Sequence, residues 1–322
     1  MKEPTIKDIK RAAARINPYV HRTPVFTSLA VNRLADAEVF LKCENLQKTG
    51  AFKARGAVNA VFSIDEESAE KGVSTHSSGN HAAALAYAAR CRGIKAFVVM
   101  PENAAPVKKA AVAEYGAEIT FCCSTLKDRE ETLQAVARDS GSVIIHPYND
   151  LRVIAGQATA ALELLEEVPS LDAVIAPVGG GGLLGGTSLA VSALKGSTVV
   201  YGAEPAGADD AYRSLKAGHL IPVRDPDTVA DGLRTSLGDL TFPIIQKYVD
   251  EILTVDDAVI IRTMKLLWER MKLVVEPSAV LPAAVLLNRR KAIRGNRIGL
   301  IISGGNVDLN HLPWQQGTSW RE

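Results

Sequence analysis

Short, almost wholly apolar runs alternate with longer stretches of helical period along most of the chain. Residues 96–100 (AFVVM), 118–122 (EITFC), 143–146 (VIIH), 173–178 (AVIAPV), 199–203 (VVYGA) and 298–302 (IGLII) predict buried strands. Between them, Ala-rich segments at 81–91, 106–115, 126–137, 155–165 and 183–194 predict helices. Strand and helix in alternation mean an α/β fold with largely parallel sheets, whose strands are apolar throughout because helices cover both faces. Residues 72–148 hold three or four such units in succession, enough for a small doubly wound sheet. Residues 39–42 and the chain from 173 onward read as parts of a larger sheet. The expected organisation is two doubly wound parallel-sheet domains. The smaller, 72–149, is inserted into a larger one made of 1–71 and 150–322, with a cleft between them. Residues 225–235 mix Pro, Gly and charge and predict a surface or cleft loop.

Composition narrows the function classes. The 322 residues are 47% hydrophobic and 23% charged, so disorder is excluded and there is ample material for a core. Lys plus Arg is 37 and Asp plus Glu is 36, a net charge of +1 that lacks the basic surplus of a nucleic-acid binder. No window is apolar for the length of a bilayer. The polar start Met1-Lys2-Glu3-Pro4 runs into a helical pattern, without the features of a signal peptide. Cys43, Cys91, Cys122 and Cys123 form no CxxC pair, so reduced thiols in a cytoplasmic protein are expected.

Four motifs carry candidate chemistry. Pro177-Val178-Gly179-Gly180-Gly181-Gly182-Leu183-Leu184 follows a predicted strand and opens a predicted helix. Consecutive glycines let backbone N–H groups converge on a ligand, and the helix dipole adds positive potential there, so the loop reads as a phosphate cradle. Lys53, between Phe52 and Ala54 at a helix start, can be partly desolvated. A desolvated amine has a lowered pKa and can form a Schiff base, although most lysines are simply exposed. Thr75-His76-Ser77-Ser78-Gly79-Asn80-His81 ends a strand and starts a helix. Its hydroxyls, amide and N–H groups suit a carboxylate or a phenolic oxygen beyond ordinary helix capping. Ser303, at the end of a buried strand and before Gly304-Gly305, faces the side where α/β ligands bind. Gly180, Gly182 and Gly185 also satisfy GxGxxG, with Glu204 about 20 residues on where a dinucleotide ribose ligand would lie. An NAD-dependent oxidoreductase on that pattern leaves the lysine and serine motifs unexplained.

Together these motifs resemble the tryptophan-synthase-like, fold-type II family of pyridoxal-phosphate enzymes. Within it the chain is similar to the serine racemase and serine/threonine dehydratase branch. The resemblance runs from His21-Arg22-Thr23-Pro24-Val25 to 303–308 and rests on QKTGAFKARGA, THSSGNHAAAL, PVGGGGLLGG, AEPAGADD, ADG, ERMKLVVEPS and ISGGNVDL. NPYVHRTPV, IIHPYND and SLGDLTFP look like the plant-type racemases. The implied roles follow residue by residue. Lys53 would hold pyridoxal 5'-phosphate covalently, with Phe52 beside its ring. Asn80 would contact the phenolic oxygen, Gly179, Gly180, Gly181, Gly182 and Leu183 the phosphate, and Ser303 the ring nitrogen. Ser78 would face Lys53 across the cofactor. Ser77, Ser78, Asn80 and His81 would bind the substrate carboxylate, with Arg129 and Thr235 approaching the substrate. Glu204, the Ala208 carbonyl and Asp210 match a site for Mg²⁺ (or Ca²⁺ or Mn²⁺), an all-oxygen donor set of the kind hard cations take.

The implied activity is serine racemisation with serine/threonine dehydratase activity, an α,β-elimination that yields a 2-keto acid and ammonia from a β-hydroxy amino acid. A homodimer is implied as well. One departure is visible: the racemase pattern has Lys-Ser-Ser after ADG and one apolar residue, where this chain has Arg234-Thr235-Ser236. That loop approaches the substrate side chain, so Arg234 and Thr235 leave room for a different or more acidic β-substituent; a 3-hydroxyaspartate dehydratase, a relative with the same apparatus, is the alternative. A cysteine-synthase-like β-replacement enzyme shares the fold but carries a different asparagine loop.

Overall fold

The computed structural model describes residues 2–104 and 106–315. Its ten strands are β1 (Val25–Phe26), β2 (Glu38–Cys43), β3 (Val73–His76), β4 (Ala96–Pro101), β5 (Glu118–Cys122), β6 (Val143–Ile144), β7 (Ala173–Pro177), β8 (Val199–Pro205), β9 (Glu251–Val255) and β10 (Arg297–Ile302). They form two sheets. One has the order β1-β2-β10-β7-β8-β9, parallel except for the antiparallel β1–β2 pair. The other is wholly parallel, in the order β5-β4-β3-β6.

The apolar runs form strands for the reason the pattern gives. Leu41, Leu300 and Ile175 lie side by side across β2, β10 and β7, and all three are completely buried. Two elements depart from the expectation. β5 is exposed along most of its length because it is the edge strand of the smaller sheet, so its Phe121 faces solvent. β6 stops at Ile144, because His146 turns back. Its Nδ1 accepts the Asn149 N–H at 2.9 Å, closing a turn where a longer strand was expected. Helices flank both sheets, and among the described residues none is long and apolar enough to cross a membrane. All four cysteines are free thiols.

Below the larger sheet's carboxyl ends lies a buried ionic cluster. Arg55, fully buried, donates from Nε to Glu44 Oε2 (2.7 Å) and from Nη2 to Glu44 Oε1 (2.8 Å). Its Nη1 reaches Glu163 Oε1 at 2.7 Å, and Lys42 Nζ reaches Glu163 Oε2 at 2.6 Å. Lys42 also donates to the Thr23 carbonyl at 2.6 Å. The set balances two cations against two carboxylates, and Arg55 stands two residues after Lys53. Removing one member leaves a buried charge without its partner, which costs about 3–5 kcal/mol. Arg55→Ala is therefore expected to lower unfolding free energy by that amount in urea titrations. A loss below about 1 kcal/mol would mean that the cluster is solvated and weak.

Candidate active site

Three adjacent parallel strands deliver the site. β2 leads through two short turns to Lys53, β7 leads directly into the glycine loop, and β10 leads directly into Ser303. Their carboxyl ends open on one crevice, the place where open parallel sheets bind ligands. The Phe52 N–H donates to the Ser303 carbonyl at 2.9 Å, and Ala51 bridges Gly304, so the lysine segment is tied to the end of β10.

The glycine loop cannot carry side chains. A Cβ at Gly180 would sit 2.3 Å from the Tyr148 ring. Gly181 adopts φ +88 as the residue before the Gly182–Leu194 helix, a conformation L side chains rarely take. A Cβ on it would also press on the Thr241 side chain at 2.8 Å. Thr241 braces the loop by donating its hydroxyl to the Gly180 carbonyl at 2.8 Å. Leu183 is buried in the first turn of that helix. The result is a cradle of backbone N–H groups at a helix N-terminus, suited to a phosphate.

Lys53 is the first residue of the helix Lys53–Val61 and donates from Nζ to the Pro147 carbonyl at 2.8 Å. Its ammonium is enclosed by protein, and this burial lowers its pKa to about 8, against a smaller upward pull from Glu276. A lysine so placed is still mostly protonated near physiological pH, but its neutral fraction is roughly a hundredfold or more that of an exposed lysine. Phe52 lies alongside, with its ring centroid 5.1 Å from Nζ.

The segment from β3 into the Asn80–Arg92 helix carries the serine-rich motif. Ser77 accepts the Gly79 N–H on its hydroxyl at 3.2 Å, and Ser78 is exposed at the tip of the turn. No side chain caps this helix, so its first N–H groups are open to an anion. The His81 side chain is buried against the Ile145 carbonyl, 3.4 Å from Nε2, and burial keeps it neutral. His81 can therefore offer the crevice its backbone rather than its ring. Asn80 donates from Nδ2 to Glu276 Oε1 at 2.7 Å and accepts from Asn306 Nδ2 at 3.0 Å.

The loop 225–235 closes the crevice from the other side as an irregular segment with one short 3-10 turn, Asp231–Leu233. The Thr235 hydroxyl lies 3.2 Å from the position a Cβ on Gly179 would take. Arg234 turns back instead, donating from Nε to the Thr228 carbonyl at 2.9 Å. Lys108, in the helix Pro106–Glu114 of the smaller sheet, ion-pairs with Asp231 across the crevice. Arg129, partly exposed in the helix Leu126–Ser140, donates to the Thr125 carbonyl at 3.4 Å.

Glu204, at the end of β8, is buried and accepts the Ala211 and Tyr212 N–H groups at 2.8 Å each. Both carboxylate oxygens thus serve the helix Asp210–Ala217, not the ribose position of a dinucleotide site. Burial, then the neighbouring Asp210, hold its pKa well above the carboxylate range. Burial raises Asp210 to about 7, and its Oδ1 is buried without a partner. Ala208 is buried beside them. Among the described residues no group of three or more His, Cys, Asp or Glu side chains could hold a metal. Two crowded carboxylates and a backbone carbonyl are nonetheless a donor set that a hard cation would relieve.

Three residues enter the site without having been assigned a role from sequence: Tyr148, Glu276 and Asn306. Each lies inside a stretch that carries the family resemblance. Glu276 had a local signal too, an acid between Val275 and Pro277 that its apolar neighbours carry inward.

A family model described as "Pyridoxal-phosphate dependent enzyme" matches residues 16–304. The chain is 52% identical over 311 residues to the beta-hydroxyaspartate dehydratase of Paracoccus denitrificans, covering 97% of this chain and 99% of that one. It is 50% identical over 315 residues to a serine racemase of Dictyostelium discoideum, covering 96% of each. The solved structure of maize serine racemase superposes with a TM-score of 0.95 at 45% identity, over 98% of this chain and 97% of that one.

Proposed function

The chain belongs to the pyridoxal-phosphate-dependent enzyme family, and from that premise we propose that it is a serine racemase with serine/threonine dehydratase activity. The observation that carries this reading is a lysine with a burial-lowered pKa beside a glycine cradle, opposite a turn with open helix N–H groups. The residues fit the cofactor. Tyr148 and Thr241 fill the space a Cβ on Gly180 or Gly181 would need, so the loop meets a phosphate with backbone N–H groups alone, and burial raises the share of Lys53 that is a neutral amine able to meet an aldehyde.

When bound, pyridoxal phosphate supplies an electron sink for charge developing at the substrate α-carbon. The chain's own groups do the rest. N–H groups of 179–183 hold the phosphate, and Ser303 offers a neutral hydroxyl at the ring nitrogen. Open N–H groups at Asn80 and His81, with the Ser77 and Ser78 hydroxyls, hold the substrate carboxylate. Lys53 removes the α-proton on one face, a role suited to a base whose pKa is near working pH. Ser78 returns a proton on the other face for racemisation. When the β-hydroxyl departs instead, the products are a 2-keto acid and ammonia. Glu204, Asp210 and the Ala208 carbonyl would hold a Mg²⁺-like cation that offsets their mutual repulsion.

The identity to a beta-hydroxyaspartate dehydratase favours a second reading, in which the β-hydroxy substrate carries a further carboxylate. One product assay separates the two. L-serine, D-serine, L-threonine and the 3-hydroxyaspartate diastereomers are offered to the holoenzyme with and without EDTA. Enantiomer interconversion and pyruvate from serine support the first reading. Turnover of hydroxyaspartate alone supports the second, and activity unaffected by EDTA counts against the cation.

A further inference from the structure

Glu276 lies in the extended segment after the helix Asp257–Met271, with its side chain in the floor of the crevice. It is 3% exposed, and its Oε2 has no hydrogen-bond partner. Backbone geometry fixes its place. Its N–H donates to the Gly304 carbonyl at 3.1 Å, and a Cβ on Gly304 would lie 2.5 Å from Oε1. Such a carboxylate is costly to bury unless it is paired, hydrogen-bonded or protonated, so its retention here asks for a role. Lys53, Lys108 and Asp231 are the charged groups that face it. Burial, then Asp231, push its pKa up to about 7.

Its one side-chain partner is Asn80. An amide side chain can turn by half a rotation, exchanging a donor for an acceptor at little steric cost. Here both ends are held. Asn306 donates from Nδ2 to the Thr49 carbonyl at 2.7 Å and to Asn80 Oδ1 at 3.0 Å, so it faces Asn80 as a donor and requires an acceptor oxygen opposite. Glu276 accepts from Nδ2 on the other side at 2.7 Å. With Oδ1 engaged and one N–H committed, what Asn80 has left is a single N–H.

We propose that Glu276 is a positioning residue which, with Asn306 at the opposite end, locks the Asn80 amide as an obligate donor toward the cofactor's phenolic oxygen. The inference rests on the pyridoxal-phosphate reading and extends it to a residue with no assigned part. Without the lock, Asn80 can present its carbonyl, which repels an anionic oxygen. With it, the donor is in place before the cofactor arrives.

The test uses the cofactor-loaded protein and reads the visible absorption band and the cofactor dissociation constant. Glu276→Ala is expected to move the band as Asn80→Ala does and to weaken retention roughly tenfold, the worth of one ordinary hydrogen bond. In the double variant Glu276→Ala should add nothing to Asn80→Ala. Glu276→Gln keeps an acceptor oxygen and should keep the native band. An unchanged band in Glu276→Ala, full additivity in the double variant, or a Gln variant as impaired as the Ala variant would each overturn the proposal. Asn306→Ala tests the lock from its other end should Glu276→Ala not fold, and an unaltered band there is equally fatal. A wild-type protein without any band overturns the pyridoxal-phosphate reading as well, whereas a native band indifferent to Glu276 overturns this inference alone.

Discussion

Lys53→Ala protein should be colourless after incubation with pyridoxal phosphate and should turn over none of the β-hydroxy amino acids, a loss of at least about 10⁴-fold. The size follows from the lysine having two duties at one atom. In the proposed mechanism its Nζ would provide the covalent link to the cofactor, which would give the borohydride-reducible band, and would be the base at the α-carbon. No second amine can take over: Lys108 is committed to Asp231 across the crevice. Lys42 is committed to Glu163 and the Thr23 carbonyl inside the ionic cluster. Substitution should not unfold the protein, because the Lys53 side chain makes a single hydrogen bond among the described residues, to the Pro147 carbonyl, and alanine keeps the helix backbone. Its cost is then in chemistry, visible in absorbance and product formation with an unchanged unfolding midpoint. A reducible visible band that survives in Lys53→Ala would refute the assignment.

Ser78→Ala is expected to divide the two reactions. Racemisation from either serine enantiomer should fall about 10²-fold or more, the usual worth of a positioned acid–base group. Elimination from the L-enantiomer should stay within a few-fold. The hydroxyl stands at the exposed tip of the turn before the Asn80–Arg92 helix, so its loss disturbs no core packing. The Gly79 N–H is held by Ser77, not Ser78, so the turn keeps its brace in the variant. Elimination is the internal control, since it needs Lys53 and the cradle but no proton delivered to the opposite face. An equal fall in both rates would assign the Ser78 hydroxyl to substrate binding and leave the second proton donor to be found elsewhere in the crevice.

Much of this molecule is legible in its sequence, for a physical reason. Parallel strands covered on both faces must be apolar along their length, so β4, β7, β8 and β10 stand out as unbroken runs within a residue or two of their bounds. The glycine loop is legible because strand, glycines and helix are contiguous, and its chemistry belongs to the backbone. β5 shows the limit: its composition reads like the others, but its edge position depends on which strands pair, and that is long-range. The lock on Asn80 shows another limit. Its members are residues 80, 276 and 306, and nothing local says that a buried acid before a proline will meet an amide almost two hundred residues earlier. Arg234 is a third case. Its place after the ADG motif leaves room for a different β-substituent, but only the fold shows that its guanidinium turns back onto the Thr228 carbonyl.

The place of β10 has a consequence for how the protein is made. It is the last strand among the described residues, yet it lies between β2 and β7, which carry the lysine segment and the cradle. A nascent polypeptide emerging from the ribosome therefore cannot close its larger sheet until 297–302 are free to insert. Until then β2, with Val39, Phe40 and Leu41, and β7, with Val174 and Ile175, each present an unpaired apolar edge, the state in which intermediates stick to one another. On the proposed reading cofactor capture would wait on the same event, because Ser303, whose carbonyl anchors the Phe52 N–H, arrives with that strand. Insertion of one late strand thus completes the sheet and covers the apolar edges of β2 and β7 in the same event.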